Sequence, residues 1–551
     1  MTKAKTLFRV STPCVALMLL AACGGGGSGG SNGSTPGAAT YSVSVTAGNG
    51  GSISPSSAMV NAGGTTTFTI TPNSGYVAGS VTGCGGTLSG NTYTTGAINA
   101  DCTVTAGFSA VFVWIGGSQL PGASGVYGTL EVAAAANMPG ARAYAARWAD
   151  ANGNVWLFGG NGINAESNAG LLNDLWEYSP SSGWWTWLGG SSVSNNTTGI
   201  YGTEGVPAST NVPGGRENAT SWTDPAGNLW LFAGRGWDST VGNSANYLND
   251  LWEYSPSSGE WTWVSGSNTA GAKGVYGTQG TAAATNVPGA RDGAVSWTDT
   301  AGHLWVFGGY GFDSTGAEGD LNDLWEYSPS TDQWTWVGGS DTIDAAGVYG
   351  TKGVSAAANM PGARTVAASW TDAQGNFWLF GGAGYDSSGT GELNDLWEYS
   401  PASGEWTWLS GSDAVNQQAI YGTQGVAAVT NMPCARISAA TWTDTHGNLW
   451  LSGGLGYPAG TWGGLDDLWE YSPQTGEWTW VSGSGTLNVQ GVWGTEGAAA
   501  ATNTPGARNG AVSWMDAHGN LLLFGGYSYI VSNGSGISSI QINDLWEYPT
   551  Q

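Results

Sequence analysis

The chain has 551 residues and a formal net charge of −26, because 13 lysines and arginines stand against 39 aspartates and glutamates. This imbalance disfavours nucleic acid as a partner, since binding a phosphate backbone requires many basic side chains. Beyond the N-terminal leader, no apolar run approaches the length of about 18 residues that a transmembrane helix requires, so we expect no membrane-spanning helix in the body of the chain.

The first residues are typical of an exported protein. Three basic residues precede the apolar run 15–20, which is too short to span a bilayer and indicates a signal peptide over 1–22. The leader ends in Leu-Ala-Ala-Cys, which resembles a lipobox, and this resemblance implies that Cys23 is lipidated. Gly24 stands where an Asp would resemble an inner-membrane retention signal. We therefore expect an outer-membrane lipoprotein, periplasmic or surface-exposed, that contacts the membrane through its lipid anchor alone.

A tether and a small β-module follow. Residues 23–40 are nearly all Gly, Ser, Asn and Thr after the cysteine, a composition that behaves as a flexible coil. Residues 41–108 alternate apolar and polar positions in short runs between Gly, Asn and Pro turns, which predicts a small all-β module. Cys84 and Cys102 both lie in this module and could form a disulfide in an oxidising compartment.

The module resembles a known surface-protein domain. The stretch 50–55, Gly-Gly-Ser-Ile-Ser-Pro, is followed by Asn-Ala-Gly-Gly at 61–64 and by Ser-Gly-Tyr at 74–76. In these motifs the segment resembles the divergent InlB-type B-repeat of bacterial surface proteins.

The rest of the chain is a sixfold repeat. An arginine recurs at intervals of 72 to 75 residues, at Arg142, Arg216, Arg291, Arg364, Arg436 and Arg508. The same four strand-like stretches follow each arginine, and in the fourth repeat they are residues 369–372, 376–382, 394–399 and 405–409. Four strands in each repeat predict one blade of a β-propeller.

These repeats resemble the kelch family, whose blades carry a Gly-Gly pair closing the second strand and spaced aromatic residues in the third and fourth. The resemblance covers residues 111–551 and implies an all-β fold, a six-bladed kelch-like β-propeller over 109–551. The final repeat ends at residues 544–548 without a fourth strand, while an orphan fourth-strand sequence occupies 111–118. We therefore predict that this N-terminal strand closes the last blade and removes an open sheet edge.

Loop lengths indicate a binding face. The second-to-third loops, such as 384–393, and the inter-blade segments, such as 411–435, are long and are predicted to emerge on the same side. Of the 32 tryptophans, 28 recur at strand positions, and the exceptions are Trp184, Trp237, Trp462 and Trp493. The last three lie in long loops, where an exposed aromatic ring can stack on a sugar. Ordinary loop packing remains the alternative.

Several loops also place an aromatic residue beside a carboxylate, a pair that can stack on a sugar ring and accept its hydroxyl hydrogen bonds. A turn in which the Asp caps backbone amides explains the same pattern. The candidate binding residues on this face are Arg235, Trp237, Asp238, Phe312, Asp313, Tyr385, Asp386, Trp462 and Trp493.

The six repeat arginines allow two interpretations. Each repeat also carries one Asp and one Glu in its third strand, so ion pairs inside the scaffold are expected. The alternative is a ring of guanidinium groups at the channel mouth that binds an anion, such as a sialic acid carboxylate.

Catalytic and metal-binding patterns are weak. His303, His446 and His518 lie in short first-to-second turns away from the long loops and cannot converge. The copper ligands of kelch-like galactose oxidases are therefore missing, and the acidic loop 313–323 matches no complete EF-hand. Cys434 stands where other repeats have Gly and is interpreted as a drifted scaffold position. We expect no metal and no cofactor.

These patterns predict a monomeric, non-enzymatic binding module at the cell envelope, recognising a glycan or a protein through the long-loop face. The alternative is a carbohydrate-active enzyme, of mutarotase or lyase type, that uses groups such as Asp238 and Arg235. Bacterial sialic acid mutarotases are also six-bladed kelch propellers, but this likeness lies at the level of the fold.

Overall fold

The computed structural model describes residues 39–150, 152–240, 245–532 and 536–550. Every regular element in these ranges is a β-strand. No helix able to cross a membrane is found among them. The predicted signal peptide, Cys23 and the tether as far as residue 38 lie outside the described residues.

The N-terminal module consists of two four-stranded sheets packed face to face. One sheet has the order Ser57–Asn61, Thr40–Ala47, Cys102–Ala110 and Tyr76–Thr82, and the other has the order Gly51–Ser54, Thr67–Pro72, Thr92–Thr94 and Thr87–Ser89. Apolar residues at alternate strand positions, among them Val43, Phe68 and Val104, fill the space between the sheets. The alternation in the sequence therefore produces the core of the module directly.

A disulfide joins two parts of this module. Cys84 and Cys102 are bonded, with their Cα atoms 5.6 Å apart. Cys84 follows the strand Tyr76–Thr82, and Cys102 begins the strand Cys102–Ala110 that pairs with it.

Six blade sheets occupy the remaining described residues. The first strand of each blade is split into two short pieces, and blades 2 and 5 also have interrupted second and third strands. Blade 1 comprises Arg142–Ala143, Ala146–Ala149, Val155–Ile163, Ala169–Ser179 and Trp184–Gly189. Blade 2 comprises Arg216–Glu217, Thr220–Thr223, Leu229–Phe232, Arg235–Gly236, Asn246–Tyr247, Leu251–Ser255 and Glu260–Ser265. Blade 3 comprises Arg291–Asp292, Val295–Thr298, Leu304–Phe312, Glu318–Ser328 and Gln333–Gly338.

The second half of the ring repeats this order. Blade 4 comprises Arg364–Thr365, Ala368–Thr371, Phe377–Tyr385, Thr390–Ser400 and Glu405–Ser410. Blade 5 comprises Arg436–Ile437, Ala440–Thr443, Leu449–Ser452, Leu455–Gly456, Gly463–Gly464, Leu468–Ser472 and Glu477–Ser482. Blade 6 comprises Arg508–Asn509, Val512–Met515, Asn520–Ser532, Gly536–Pro549 and, from the N-terminal side of the propeller, Val113–Gly116.

Apolar side chains between neighbouring sheets form the core. Each inter-blade cluster takes its residues from two adjacent blades, and one cluster joins blade 6 to blade 1. The tryptophan of each third strand is fully buried, at Trp176, Trp252, Trp325, Trp397, Trp469 and Trp546. The recurring tryptophans are therefore packing residues, and the predicted all-β propeller is confirmed.

The N-terminal strand pairs with the last blade. Trp114 lies opposite Trp546, and Val113 lies opposite Glu547, in an antiparallel ladder. Phe112 also packs edge-on against Trp546, with ring centroids 6.4 Å apart. The two ends of the propeller thus form one sheet, as the repeat pattern predicts.

A ring of backbone hydrogen bonds surrounds the central channel. Between the two pieces of each first strand, one residue has a φ between 49° and 64°. Its amide donates to the carbonyl of the equivalent residue in the preceding blade, at 2.7–3.1 Å, and blade 1 bonds to blade 6. The ring residues are Tyr144, Asn218, Gly293, Val366, Ser438 and Gly510. Such a conformation is rare for Val366 and is held here by the closed ring.

The inter-blade segments differ from the sequence-based expectation. Much of each segment lies along the outer strand of the next blade instead of on the binding face. In blade 2, for example, Ala208 bridges to Trp261, and Asn211 donates from Nδ2 to the Trp261 carbonyl at 3.0 Å. The segments are long because each covers the otherwise open edge of a sheet.

Candidate functional site

The repeat arginines are each paired with an aspartate inside the scaffold. Arg364 donates from Nη1 and Nη2 to the two carboxylate oxygens of Asp395, at 2.7 and 2.8 Å. Asp395 also accepts hydrogen bonds from Tyr349 and Trp397, each at 2.7 Å. Burial, followed by the charge of Asp395, raises the pKa of Tyr349. The same arrangement pairs Arg142 with Asp174, Arg216 with Asp250, Arg291 with Asp323, Arg436 with Asp467, and Arg508 with Asp544.

The side chains of these pairs are at most 3% exposed. A buried guanidinium that already donates two parallel hydrogen bonds to its own aspartate cannot offer the same pair of N–H groups to a ligand. The arrangement therefore favours the scaffold interpretation of the arginines over an anion-binding ring. The third-strand glutamates do not form ion pairs with these arginines.

Three candidate carboxylates are also occupied. Asp238 is buried and accepts the amides of Thr240 and Ala270, at 2.7 and 2.8 Å. Asp313 accepts two amides of its own turn, at 2.8 and 2.9 Å. Asp386 accepts the amide of the residue two positions later at 2.6 Å. Each of these side chains holds a loop backbone through hydrogen bonds to amides, as the turn interpretation predicts.

The candidate aromatic residues have different surroundings. Trp237 is half-buried and lines a groove of about 950 Å³ between blades 1 and 2, where its Nε1 donates to Asn196 at 3.3 Å. Trp462 is 40% exposed and packs against Tyr457, with ring centroids 5.0 Å apart. Phe312 and Tyr385 are half-buried and occupy the Trp237 position in their own blades.

Trp493 belongs to the scaffold. Its Nε1 donates to Asp544 at 3.0 Å, and its ring lies against Trp546. In the other blades a tyrosine hydroxyl makes the corresponding hydrogen bond, as Tyr421 does with Asp467. Trp493 therefore replaces that tyrosine and does not offer a free ring to a sugar.

One layer of the channel breaks the repeat. The layer lies immediately beside the backbone ring. In each blade it consists of the residue after the repeat arginine, the second-strand residue paired with it, and the third-strand residue paired with that one in turn. In blade 3 this layer contains Asp292, Tyr310 and Asp320, which lie opposite one another in turn. In blade 5 the same positions hold only Ile437, Leu455 and Gly464. Blade 2 contributes Glu217, Arg235 and Tyr247. We call the six residues of blades 2 and 3 the acidic mouth.

The acidic mouth is a continuous surface across two blades. The rings of Tyr247 and Tyr310 lie 5.6 Å apart. Arg235 donates to Glu217 at 3.2 Å, and the Arg235 side chain is 50% exposed. Asp292, Tyr310 and Asp320 are half-buried. Aromatic faces and carboxylates are therefore adjacent and partly open to solvent.

Mutual repulsion and burial change the protonation of this surface. Burial and the neighbouring Glu217 raise the pKa of Asp292 to about 7, against the opposing effect of Arg235. Burial, Asp344 and Asp292 raise the pKa of Asp320 to about 7. Burial and the surrounding carboxylates raise the pKa of Tyr247 to about 12. At neutral pH the acidic mouth holds both hydrogen-bond donors and acceptors on its carboxyl groups.

The opposite side of the channel, in blades 6 and 1, is uncharged at this layer. Gln541 donates from Nε2 to Tyr527 at 3.0 Å and to Asn161 at 3.1 Å. Asn509 is hydrogen-bonded to Tyr144, whose ring lies 5.9 Å from that of Tyr527. This amide side provides further groups that can bond to hydroxyls.

Of the residues proposed from sequence, Arg235 alone belongs to the acidic mouth. A signal for the others was present, because the residue after each repeat arginine differs in all six blades, whereas the arginine itself recurs. Comparing the repeats position by position would have identified the layer. Searching the long loops could not, since the layer lies on the strands themselves.

The short turns on the opposite side carry a histidine–carboxylate cluster. His303 Nδ1 lies 3.0 Å from Asp299 and 2.7 Å from Glu326. In blade 4 an asparagine, Asn376, makes the matching hydrogen bond to Asp372 at 3.0 Å. His303 thus fills a recurring turn-bracing position.

Cys434 is fully buried, and its sulfur accepts a hydrogen bond from Arg436 at 3.4 Å. Burial raises the pKa of the Cys434 thiol. A buried, protonated thiol is a poor nucleophile.

The fold and these sites describe a propeller scaffold preceded by a small β-module. Residues 41–112 match the divergent InlB B-repeat domain family, and residues 300–335 match the kelch motif family. A solved structure titled "Structure of YjhT" is 16% identical, covers 74% of this chain and 95% of that chain, and has a TM-score of 0.43. No curated protein matches the chain. The chain thus carries a divergent InlB B-repeat domain and a kelch-type propeller, as its motifs predict.

Proposed function

We propose that the chain is a cell-envelope lipoprotein whose propeller binds an uncharged glycan at the acidic mouth, without catalysing a reaction. The observation that carries this proposal is the loss of repeat symmetry in one layer. Positions that recur around the ring serve blade packing, whereas the mouth positions differ between blades and, apart from the buried Glu217, are partly exposed.

The chemistry of the mouth favours a sugar without charge. Tyr247 and Tyr310 offer ring faces to the C–H faces of a sugar, and Asp292 and Asp320 can both donate to and accept from hydroxyls. The carboxylates repel anionic ligands, and Arg235, the single cation of this layer in the described residues, is already paired with Glu217. A sialic acid is therefore a poor candidate.

The location at the envelope rests on the leader. The Leu-Ala-Ala-Cys ending and the Gly-rich segment support a lipid anchor at Cys23. Labelled palmitate should enter the wild-type protein and the Cys14→Ser control, and it should not enter Cys23→Ser. Label retained in Cys23→Ser would refute the anchor.

A glycan array with the full-length mature chain tests recognition, followed by calorimetry with the strongest ligand. Tyr310→Ala and Tyr247→Ala should each weaken binding at least about tenfold, since each removes a stacking face. Trp462→Ala is the matched control, because it removes an exposed ring outside the mouth. If Trp237→Ala abolishes binding while the tyrosine variants do not, the ligand lies in the groove between blades 1 and 2.

A protein partner is the other ligand class that this surface could recognise. If the folded protein binds no glycan on the array, the glycan part of the proposal is refuted.

A carbohydrate-active enzyme is the second candidate function. Asp292, with a pKa near neutrality, lies beside Glu217, and such a pair can supply a general acid and a base. NMR of the bound sugar separates the two functions. Anomeric exchange or cleavage that Asp292→Asn abolishes would show an enzyme, whereas binding without turnover supports the binding module.

A further inference from the structure

The channel below the backbone ring contains one arginine outside the repeat pattern. Arg147 lies on the first strand of blade 1, between the buried residues Ala146 and Trp148. Because side chains alternate along a strand, Arg147 points away from the blade core and towards the channel. The equivalent positions of the other blades hold only hydroxyl side chains, at Ser221, Ser296, Ser369, Thr441 and Ser513.

No carboxylate neutralises this charge. Among the described residues, the Arg147 guanidinium makes no hydrogen bond and no ion pair, whereas the other described arginines are all paired with an aspartate or glutamate. Burial lowers the pKa of Arg147 to about 10, so the side chain remains charged at neutral pH. Arg147 is half-buried and lines the channel cavities, so its unpaired charge is available to an anionic ligand there.

The walls around Arg147 offer neutral hydrogen-bond donors. Two adjoining cavities of about 340 and 350 Å³ are lined by Arg147 together with serine, threonine and tryptophan side chains. Ser221 and Ser296 donate to strand carbonyls, at 2.8 and 3.3 Å. The hydroxyls of Ser369 and Thr441 donate to no protein group in the described part of the chain and line the first cavity.

We propose that this lower channel binds one small tetrahedral oxyanion, of the phosphate or sulfate class. The Arg147 guanidinium donates two parallel hydrogen bonds to it, and the Ser369 and Thr441 hydroxyls complete its coordination. The lining residues of both cavities include no acidic side chain, although the whole chain carries a charge of −26. The site is therefore locally attractive to an anion, in contrast to the acidic mouth beyond the ring.

Calorimetric titration of the full-length mature protein with inorganic phosphate tests this site. The wild-type protein should bind about one phosphate per chain, and sulfate should compete. Arg147→Ser should weaken phosphate binding at least about tenfold, because it removes the charged donor. Ser already occupies this position in four other blades, so the variant should fold. Lys273→Ser is the matched control, since it removes one positive charge from an exposed position and should leave binding unchanged.

Thermal unfolding provides the second readout. Phosphate should raise the Tm of the wild-type and Lys273→Ser proteins and should not raise the Tm of Arg147→Ser, since a ligand stabilises the state that binds it. The proposal is overturned if the wild-type protein binds neither phosphate nor sulfate, or if Arg147→Ser binds phosphate as tightly as the wild type. Tighter binding of acetate than of phosphate would overturn the tetrahedral assignment.

Discussion

At the scale of single residues, the buried arginine–aspartate pairs show how the chain uses its few basic side chains. Each aspartate neutralises an arginine and also accepts from a tryptophan, and in blade 4 these partners are Arg364 and Trp397. Six arginines are thereby fixed between strands. Removing one member of such a pair leaves the others buried without partners.

Asp395→Ala should therefore lower the free energy of unfolding by about 3–5 kcal/mol, because it leaves the Arg364 charge buried and unpaired. Denaturant unfolding followed by tryptophan fluorescence measures the change. Asp413→Ala, an exposed carboxylate, is the control and should change stability by less than about 0.5 kcal/mol. Equal stabilities of the two variants would show that the pair is not needed.

The raised pKa of Asp292 gives the acidic mouth a pH signature. The folded protein holds this proton up to about pH 7, whereas an Asp in the unfolded chain loses it near its ordinary pKa of about 3.9. Between these values the folded state binds more protons, so the contribution of Asp292 to stability falls as the pH rises.

Asp292→Asn cannot ionise and should avoid this loss. Its Tm relative to the wild type should therefore increase from about pH 4 to about pH 7 and then stay constant, as thermal melts in a series of buffers would show. A Tm difference for Asp292→Asn that is independent of pH would contradict the account of the mouth.

At the scale of strands and segments, the elements that recur in every blade could be predicted from the sequence. The four strands of each blade follow from alternating apolar residues, from the Gly-Gly pair and from the fixed tryptophans, all of which are local patterns. The position of the inter-blade segments could not be predicted in the same way. Their contact with the outer strand of the next blade, such as Ala208 with Trp261, joins residues 53 positions apart, and no local pattern encodes it.

The closing strand has a direct test. A chain lacking everything through Ser118 loses Trp114 and leaves the outer edge of the third strand of blade 6 unpaired. A chain lacking everything through Ala110 keeps Trp114 and this pairing. The longer deletion should lower the Tm by at least about 5 °C relative to the shorter one, because it removes large buried aromatics. Differential scanning calorimetry measures the difference, and equal Tm values would refute closure by this strand.

At the scale of the whole molecule, a symmetric scaffold carries an asymmetric channel. The six pairs, the six inter-blade cores and the backbone ring repeat around the axis, and the residues that differ gather along the channel. Glu217, Asp292 and Asp320 make one end acidic, while Arg147 makes the part beyond the ring basic. The sequence predicted the scaffold because repetition is visible in it. The channel residues could not be predicted in this way, because a single residue that departs from the repeat looks like neutral sequence variation. Only the structure shows that these departures lie close together in space.

The most direct test of the proposed function replaces the mouth of blade 3 by that of blade 5. The triple variant Asp292→Ile, Tyr310→Leu and Asp320→Gly uses residues that the chain already carries at these positions in another blade, so the fold should be retained. Calorimetry with the strongest array glycan measures the outcome. The account predicts a Tm close to that of the wild type and no detectable glycan binding. Unchanged affinity in the folded variant would contradict recognition at the acidic mouth.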